Sequence, residues 1–279
     1  MKTIECSIPE SIYRSLTAKR DSDNKSLDHL VATALAQYLG QSFHTLFQVS
    51  TSAALVEGLF QGAVRVEQIK EHGDFGLGTF VDLDGEMVVL DGGVYRLAAD
   101  GSVTEVEDSR LIPYAVVTHF RVETNKDDVS FSTFDGLVAI CDRLRSSENL
   151  FYAFRIDGTF SSVHCRIVRA VAKGTPLTAA ASGQSLFNFS DVKGTLVGFW
   201  SPTFAGSFSV PGYHFHFISD DRKIGGHVLD CEAEHMTIRT CSMPEVHVSL
   251  PETKEFLQAD LTRDPSKDLE SVERSLSSK

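Results

Sequence analysis

Apolar and polar residues follow readable periods along most of this chain. Near the amino terminus Ile4, Cys6 and Ile8 alternate with Thr3, Glu5 and Ser7, the period-two pattern of a strand. Pro9 then opens a helical stretch from Glu10 to about Lys19, with Ile12, Tyr13 and Leu16 as its apolar stripe. Asp21 to Lys25 read as a polar turn. Ser26 is a good N-cap for a second helix that carries Leu27, Leu30, Val31 and Leu35 and closes at Gly40. Beyond Thr45 the character changes. Ser50 to Gly62 is apolar with a helical period, and Val66 to His72 predicts another short helix. Strand-like runs follow at Gly78–Val81, Glu86–Leu90, Gly93–Leu97 and Tyr114–Phe120, with Asp84-Gly85 and Asp100-Gly101 as hairpin turns. Phe134 to Arg145 is amphipathic. Phe151–Ile156 and Ser162–Val171 read as strands, Lys173–Gln184 as a looser stretch, and Val192–Leu250 as β-rich. The tail from Thr262 to Lys279 is polar and charged.

These patterns predict an α+β fold. A mixed-sheet domain is expected over 45–180, a smaller antiparallel β-barrel-like domain over 181–261, and a tail over 262–279. Strand, helix and helix within residues 1–42 resemble the ribbon-helix-helix fold, which pairs the strands of two chains and implies a homodimer or higher homo-oligomer. Such ribbons usually enter the DNA major groove. Here Glu5 would face phosphates, and residues 1–42 carry five basic and five acidic side chains, which gives no counterion-release drive. A dimerisation module fits better than a DNA-binding one.

The most informative pattern is Gly212-Tyr213-His214-Phe215-His216-Phe217, followed by Gly225-Gly226-His227. Residues two apart on a strand share a face, so His214 and His216 project together while Phe215 and Phe217 point away. Ser219 to Arg222 is turn-rich, and a hairpin of this length brings His227 opposite the first two. Three neutral imidazoles with an open position suit a catalytic zinc or another first-row metal. The residues alone are equally compatible with a hairpin of core or solvated histidines.

Composition narrows the classes. The 279 residues carry a net charge of −12, without the basic clusters of a nucleic-acid surface. Five scattered cysteines lack any C-x-x-C, so neither a disulfide framework nor a thiolate metal knuckle is expected. No signal-peptide h-region and no membrane-spanning apolar run is visible, which makes the cytoplasm the expected compartment.

His72-Gly73-Asp74-Phe75-Gly76-Leu77-Gly78-Thr79-Phe80, then Leu83-Asp84-Gly85-Glu86 and Asp91-Gly92, resemble the amino-terminal signature of the acetolactate decarboxylases. Tyr152 to Gly158 fits the middle of that family, and Gly194 to Phe199 together with the histidine hairpin fits its metal region. The resemblance runs from about Leu46 to the carboxyl terminus and leaves residues 1–42 outside. It implies decarboxylation of 2-acetolactate to acetoin with a zinc cofactor. It also implies metal ligands His214, His216 and His227, and catalytic groups on Thr79, Glu86, Arg166 and the tail carboxylate Glu273. Arg155 is a rival for Arg166, unless a salt bridge to Asp157 occupies it. Glu270, one helical turn away, is a rival for Glu273. His164 shares the strand face of Arg166, Asp230 and Glu232 are candidate partners of the histidines, and His235 and His247 read as structural or surface residues. A cupin-like enzyme with another divalent metal, or a ligand-sensing DNA-binding regulator, are the alternatives.

Overall fold

A computed structural model describes residues 5–23, 26–38 and 44–273. Chain contacts divide it into two units, 1–43 and 44–279. In the first, α1 (Glu10–Asp23) and α2 (Leu27–Tyr38) form a helix pair. Helix α1 runs past Lys19, because Arg14 reaches back to Glu10 at 2.9 Å and the Ser22 hydroxyl bonds the Lys19 carbonyl. The expected amino-terminal strand is not present at residues 5–9, which have no regular structure, and Ile4 and the cap position Gly40 lie outside the described residues. A ribbon strand gets its ladder from a second chain, so nothing within one chain would hold it.

The second unit carries β1 (Thr45–Val49), β2 (Val64–Arg65), β3 (Phe75–Thr79), β4 (Glu86–Leu90), β5 (Gly93–Leu97), β6 (Val103–Glu105), β7 (Leu111–Ile112) and β8 (Tyr114–Thr118). It continues with β9 (Thr124–Phe131), β10 (Phe151–Ile167), β11 (Ser185–Ser201), β12 (Gly212–Ser219), β13 (Gly225–Met243) and β14 (Glu245–Ser249). Among the described residues these form a seven-stranded sheet in the order β14-β1-β8-β3-β4-β5-β6, a five-stranded sheet in the order β10-β11-β12-β13-β9, and the short pair β2-β7. The pairing β1–β14 is parallel and its neighbours are antiparallel, which makes the larger sheet mixed. Strand β10 pairs with both β11 and β13. The five-stranded sheet therefore draws on both sides of residue 180, and the expected boundary there does not separate two bodies: 44–279 is one unit.

The helices of this unit are α3 (Ser52–Val56), α4 (Val66–His72), α5 (Phe134–Leu144), α6 (Leu177–Ala181), α7 (Lys254–Gln258) and α8 (Ser266–Glu273). The apolar run from Ser50 to Gly62 yields only the short α3, capped by the Thr51 hydroxyl, because its flanks serve β1 and a turn at Gly58 with φ +76. The two strands expected around 151–171 are one continuous β10, bent where its register with β13 shifts after Asp157.

Alternation sets the layers. On β3, β4 and β8 one face carries Phe75, Leu77, Val88, Leu90 and Val116 into the main core, shared with Ala153, Val197, Phe199 and Ile218 of the five-stranded sheet. The opposite face of the larger sheet carries Met87, Val89, Ala115 and Val117 against Ile69 of α4. The other face of the five-stranded sheet carries Phe154, Phe160, Phe215 and Phe217, which pack on one another and with Leu137 and Cys141 of α5. Buried apolar area on this scale is the main stabilising term. Among the described residues no helix is long and apolar enough to cross a membrane.

Candidate active site

The site lies where the inner faces of the two sheets meet. On β12, His214 and His216 point toward the site while Phe215 and Phe217 pack on the opposite face in a second apolar cluster. The turn after β12 is tied by the Ser219 hydroxyl, which donates to Asp221 at 2.7 Å and accepts from the amides of Lys223 and Ile224. The return strand then sets His227 directly opposite His216, and Arg166 of β10 directly opposite His227. Gly226 permits that approach: a Cβ there would stand 2.7 Å from Cβ of Cys165.

The three imidazoles converge. Nε2 of His214 is 3.1 Å from Nε2 of His216 and 3.1 Å from Nδ1 of His227. His216 and His227 are buried, His214 is partly exposed at 13%, and all three rings are held neutral. Burial pushes His214 down to about 3, helped by Arg166, and pushes His216 to about 3, helped by His214; His227 falls well below its ordinary value for the same reason. His216 Nδ1 lies 2.8 Å from the Met87 carbonyl. A carbonyl can only accept, so that nitrogen carries the proton and Nε2 presents a bare lone pair. Nitrogens about 2.0–2.1 Å from one ion, at tetrahedral or octahedral angles, stand roughly 2.9–3.4 Å apart; the two spacings from His214 lie in that range, and all three ligand atoms lie within 4.8 Å of one another. The donor set fits a divalent cation.

Two carboxylates and one guanidinium face these rings. Glu86, the first residue of β4, has one carboxylate oxygen 3.6 Å from His216 Nε2 and the other 3.9 Å from Arg166. Burial raises its carboxyl to about 7, Arg166 pulls it back and Glu273 pushes it further. Glu273 reaches the site from the tail. Its oxygens stand 3.3 Å from His227, 3.8 Å from His214 and 3.7 Å from Arg166, and burial raises its carboxyl as well. The polar tail is thus an ordered helix up to Glu273. Leu269 and Val272 of α8 are buried in the main core, the Pro265 carbonyl accepts from the Leu269 amide, and Arg263 bridges Asp268 and Glu57. Glu270 points to solvent. Thr79 sits opposite Glu86 on β3, with its hydroxyl donated to the Gly85 carbonyl at 2.8 Å.

Other candidates fall elsewhere. Arg155 is occupied by Asp157 at 3.0 Å and Asp91 at 2.6 Å, far better ion pairs than those of Arg166. His164 is exposed. Asp230 accepts from the Phe134 and Cys231 amides, and Glu232 is exposed, so neither buttresses a histidine; the Met87 carbonyl does so instead. His235 pairs with Asp128 at the surface, and His247 packs edge-on against Phe47. Sequence reasoning passed over Met87, whose backbone role leaves no trace in residue type, and Tyr114. The tyrosine stands opposite Thr79 on β8 and faces the same pocket; cross-strand register was the only signal for it.

Known proteins resemble this chain in both sequence and fold. The family model for alpha-acetolactate decarboxylase matches residues 46–263. The alpha-acetolactate decarboxylase of Bacillus subtilis strain 168 is 40% identical over 238 residues, covering 84% of this chain and 93% of the relative. That of Methanosarcina mazei is 38% identical over 259 residues, covering 92% and 88%. The crystal structure of the B. subtilis strain 168 enzyme superposes with a TM-score of 0.80 at 37% identity, covering 82% of this chain and 99% of the other. With both sequence and fold in agreement over most of its length, the chain belongs to the alpha-acetolactate decarboxylase family of carboxy-lyases.

Proposed function

We propose that the chain decarboxylates 2-acetolactate to acetoin and carbon dioxide with zinc held by His214, His216 and His227. The convergence of three neutral imidazoles on a pocket flanked by Glu86, Glu273 and Arg166 carries this reading. In the reaction the bond to the carboxylate carbon breaks and its electron pair passes into the neighbouring ketone. Carbon dioxide leaves, and one proton returned to carbon gives acetoin. A divalent ion, when bound, supplies Lewis-acid stabilisation of the oxygen charge. Arg166 anchors the anionic substrate; a guanidinium stays charged throughout, so it is no proton donor. Glu86, raised to about 7, can both hold and release a proton near neutrality. Glu273 covers the opposite side and orients or relays. Thr79 fixes the Gly85 turn from which Glu86 departs. Zinc is favoured among divalent ions by an all-imidazole set with room for substrate oxygens.

Incubation of the purified protein with racemic acetolactate, with and without chelator and alongside elemental analysis, tests the reading. Acetoin that disappears with chelator and returns with zinc is the expected result. A cupin-like activity would leave acetolactate unconsumed.

For residues 1–43 the dimerisation reading is retained. Ile8, Ile12, Tyr13, Val31 and Leu35 are exposed apolar residues on or beside α1 and α2, and a second chain is a natural cover for them. Light scattering of the full chain against a chain lacking residues 1–42 checks this. The cytoplasm, where the buried thiols of Cys141, Cys165, Cys231 and Cys241 stay reduced, is the assigned compartment.

A further inference from the structure

One row across the larger sheet ends in the pocket. Tyr114 of β8 is directly opposite Thr79 of β3, and Thr79 is directly opposite Glu86 of β4. Residues opposite one another in antiparallel strands share a face. The row therefore delivers a phenol, a hydroxyl and a carboxylate to one wall, and all three line the cavity with Arg166, His214 and His227. Glu86 and Thr79 already have partners. Tyr114 does not: it is 2% exposed, and its hydroxyl makes no hydrogen bond. The Ser209 side chain and the Val210 backbone lie near enough to act on it as weak hydrogen-bonding neighbours, but neither reaches the distance and angle of a formed bond, and the Ser209 hydroxyl is engaged with that of Ser201 at 3.0 Å.

A buried polar group without a partner is destabilising, and native proteins seldom keep one without a use. Phenylalanine would fill the same apolar surroundings without that penalty. The other buried orphans in this pocket are Arg166 Nε and Glu273 Oε2, both on residues assigned to the reaction. We propose that the Tyr114 hydroxyl is a further substrate-binding donor, completing its hydrogen bond on an oxygen of the bound 2-hydroxy-3-keto acid; this rests on the decarboxylase reading above. The phenol is a fixed, neutral donor. It holds the substrate before and during carbon–carbon cleavage alike, so its contribution falls on binding.

The test is Tyr114→Phe in the metal-loaded full chain. One reading is turnover of acetolactate. The other is calorimetric binding of 2,3-dihydroxy-2-methylbutanoate, an analogue whose reduced ketone cannot accept the electron pair. One lost hydrogen bond predicts roughly a tenfold higher KM and a roughly tenfold weaker analogue, with kcat within about threefold. Metal content is unchanged, and the melting temperature stays level or rises because an unsatisfied group has gone. Analogue affinity within twofold of wild type would overturn the proposal, as would a fall in melting temperature together with lost metal, which marks a structural role. If the wild type binds the analogue but forms no acetoin, the reaction assignment fails, while the Tyr114 comparison still stands on the binding data.

Discussion

The two sides of the pocket are built in unlike ways. The histidine side is part of a continuous ladder: β12 and β13 are bonded to each other and to β11 and β10 respectively, and Phe215 and Phe217 on the opposite face of β12 are fully buried. The Glu273 side is one short helix, held by two buried side chains and by surface ion pairs through Arg263, which is 60% exposed. Exposed ion pairs contribute little, typically about 0–1 kcal/mol, so α8 depends on Leu269 and Val272. The ladder cannot open locally without losing many hydrogen bonds, whereas the helix can detach alone. The three histidines and Glu273 are thereby placed on elements of different durability, and their contributions should be separable by mutation.

The largest effect is expected on the ladder. His216→Ala should lose bound metal and lower turnover by on the order of a thousandfold or more, because two imidazoles compete poorly with water for a cation. Stoichiometric zinc in this variant by elemental analysis would refute the three-histidine cage. Next is Glu86→Gln, which keeps the shape but not the proton chemistry. Metal content should persist while kcat drops by about a hundredfold to ten-thousandfold. Wild-type rates would reduce Glu86 to a residue leaving a turn.

The helix side should respond more mildly and without metal loss. Ending the chain after Pro265, or Glu273→Gln, should lower kcat by roughly a hundredfold with zinc retained; Glu270→Gln, on an exposed carboxylate, should be silent. Leu269→Ala tests the tether itself. A buried leucine truncated to alanine removes about 2–5 kcal/mol of local packing, enough to undock α8. Activity should fall toward that of the truncated chain while the main unfolding transition moves little. A cooperative drop in melting temperature would mean that the helix is integral to the core. The smallest effect is expected from removing residues 1–42: acetoin formed per zinc should be unchanged, with any difference confined to the mass seen in light scattering.

Legibility in the sequence followed the same division. The hairpin could be read because strand alternation, a polar turn and Gly225-Gly226 are local signals within 16 residues, from Gly212 to His227. Glu86, Arg166 and Glu273 came from motif resemblance, since nothing in their neighbours predicts that β4, β10 and α8 meet. The separation of Arg166 from Arg155 needed partners: both are strand arginines, and only the Asp91–Arg155–Asp157 cluster shows which one is already engaged. Composition alone reads the tail as solvated; the spacing of Leu269 and Val272, three apart, is the one local hint that a helical turn is pinned to the body, and both are buried on α8. The boundary at residue 180 failed because a looser stretch between strands says nothing about whether those strands pair, and β10 and β11 pair along almost their whole length.

The ion pairs of Arg166 with both Glu86 and Glu273 have one more consequence. With both carboxyls ionised and the imidazoles neutral, these side chains sum to one negative charge. A divalent cation held by the three histidines would turn the sum to one positive charge, and a monoanionic keto acid would bring it to zero. Uncharged carbon dioxide then departs without altering that neutrality. Only when a proton is taken up and uncharged acetoin forms does the small molecule lose its hold on the surplus positive charge. In a desolvated enclosure, where charge imbalance is expensive, the pocket retains the anion that enters and has little electrostatic grip on the neutral molecule that leaves.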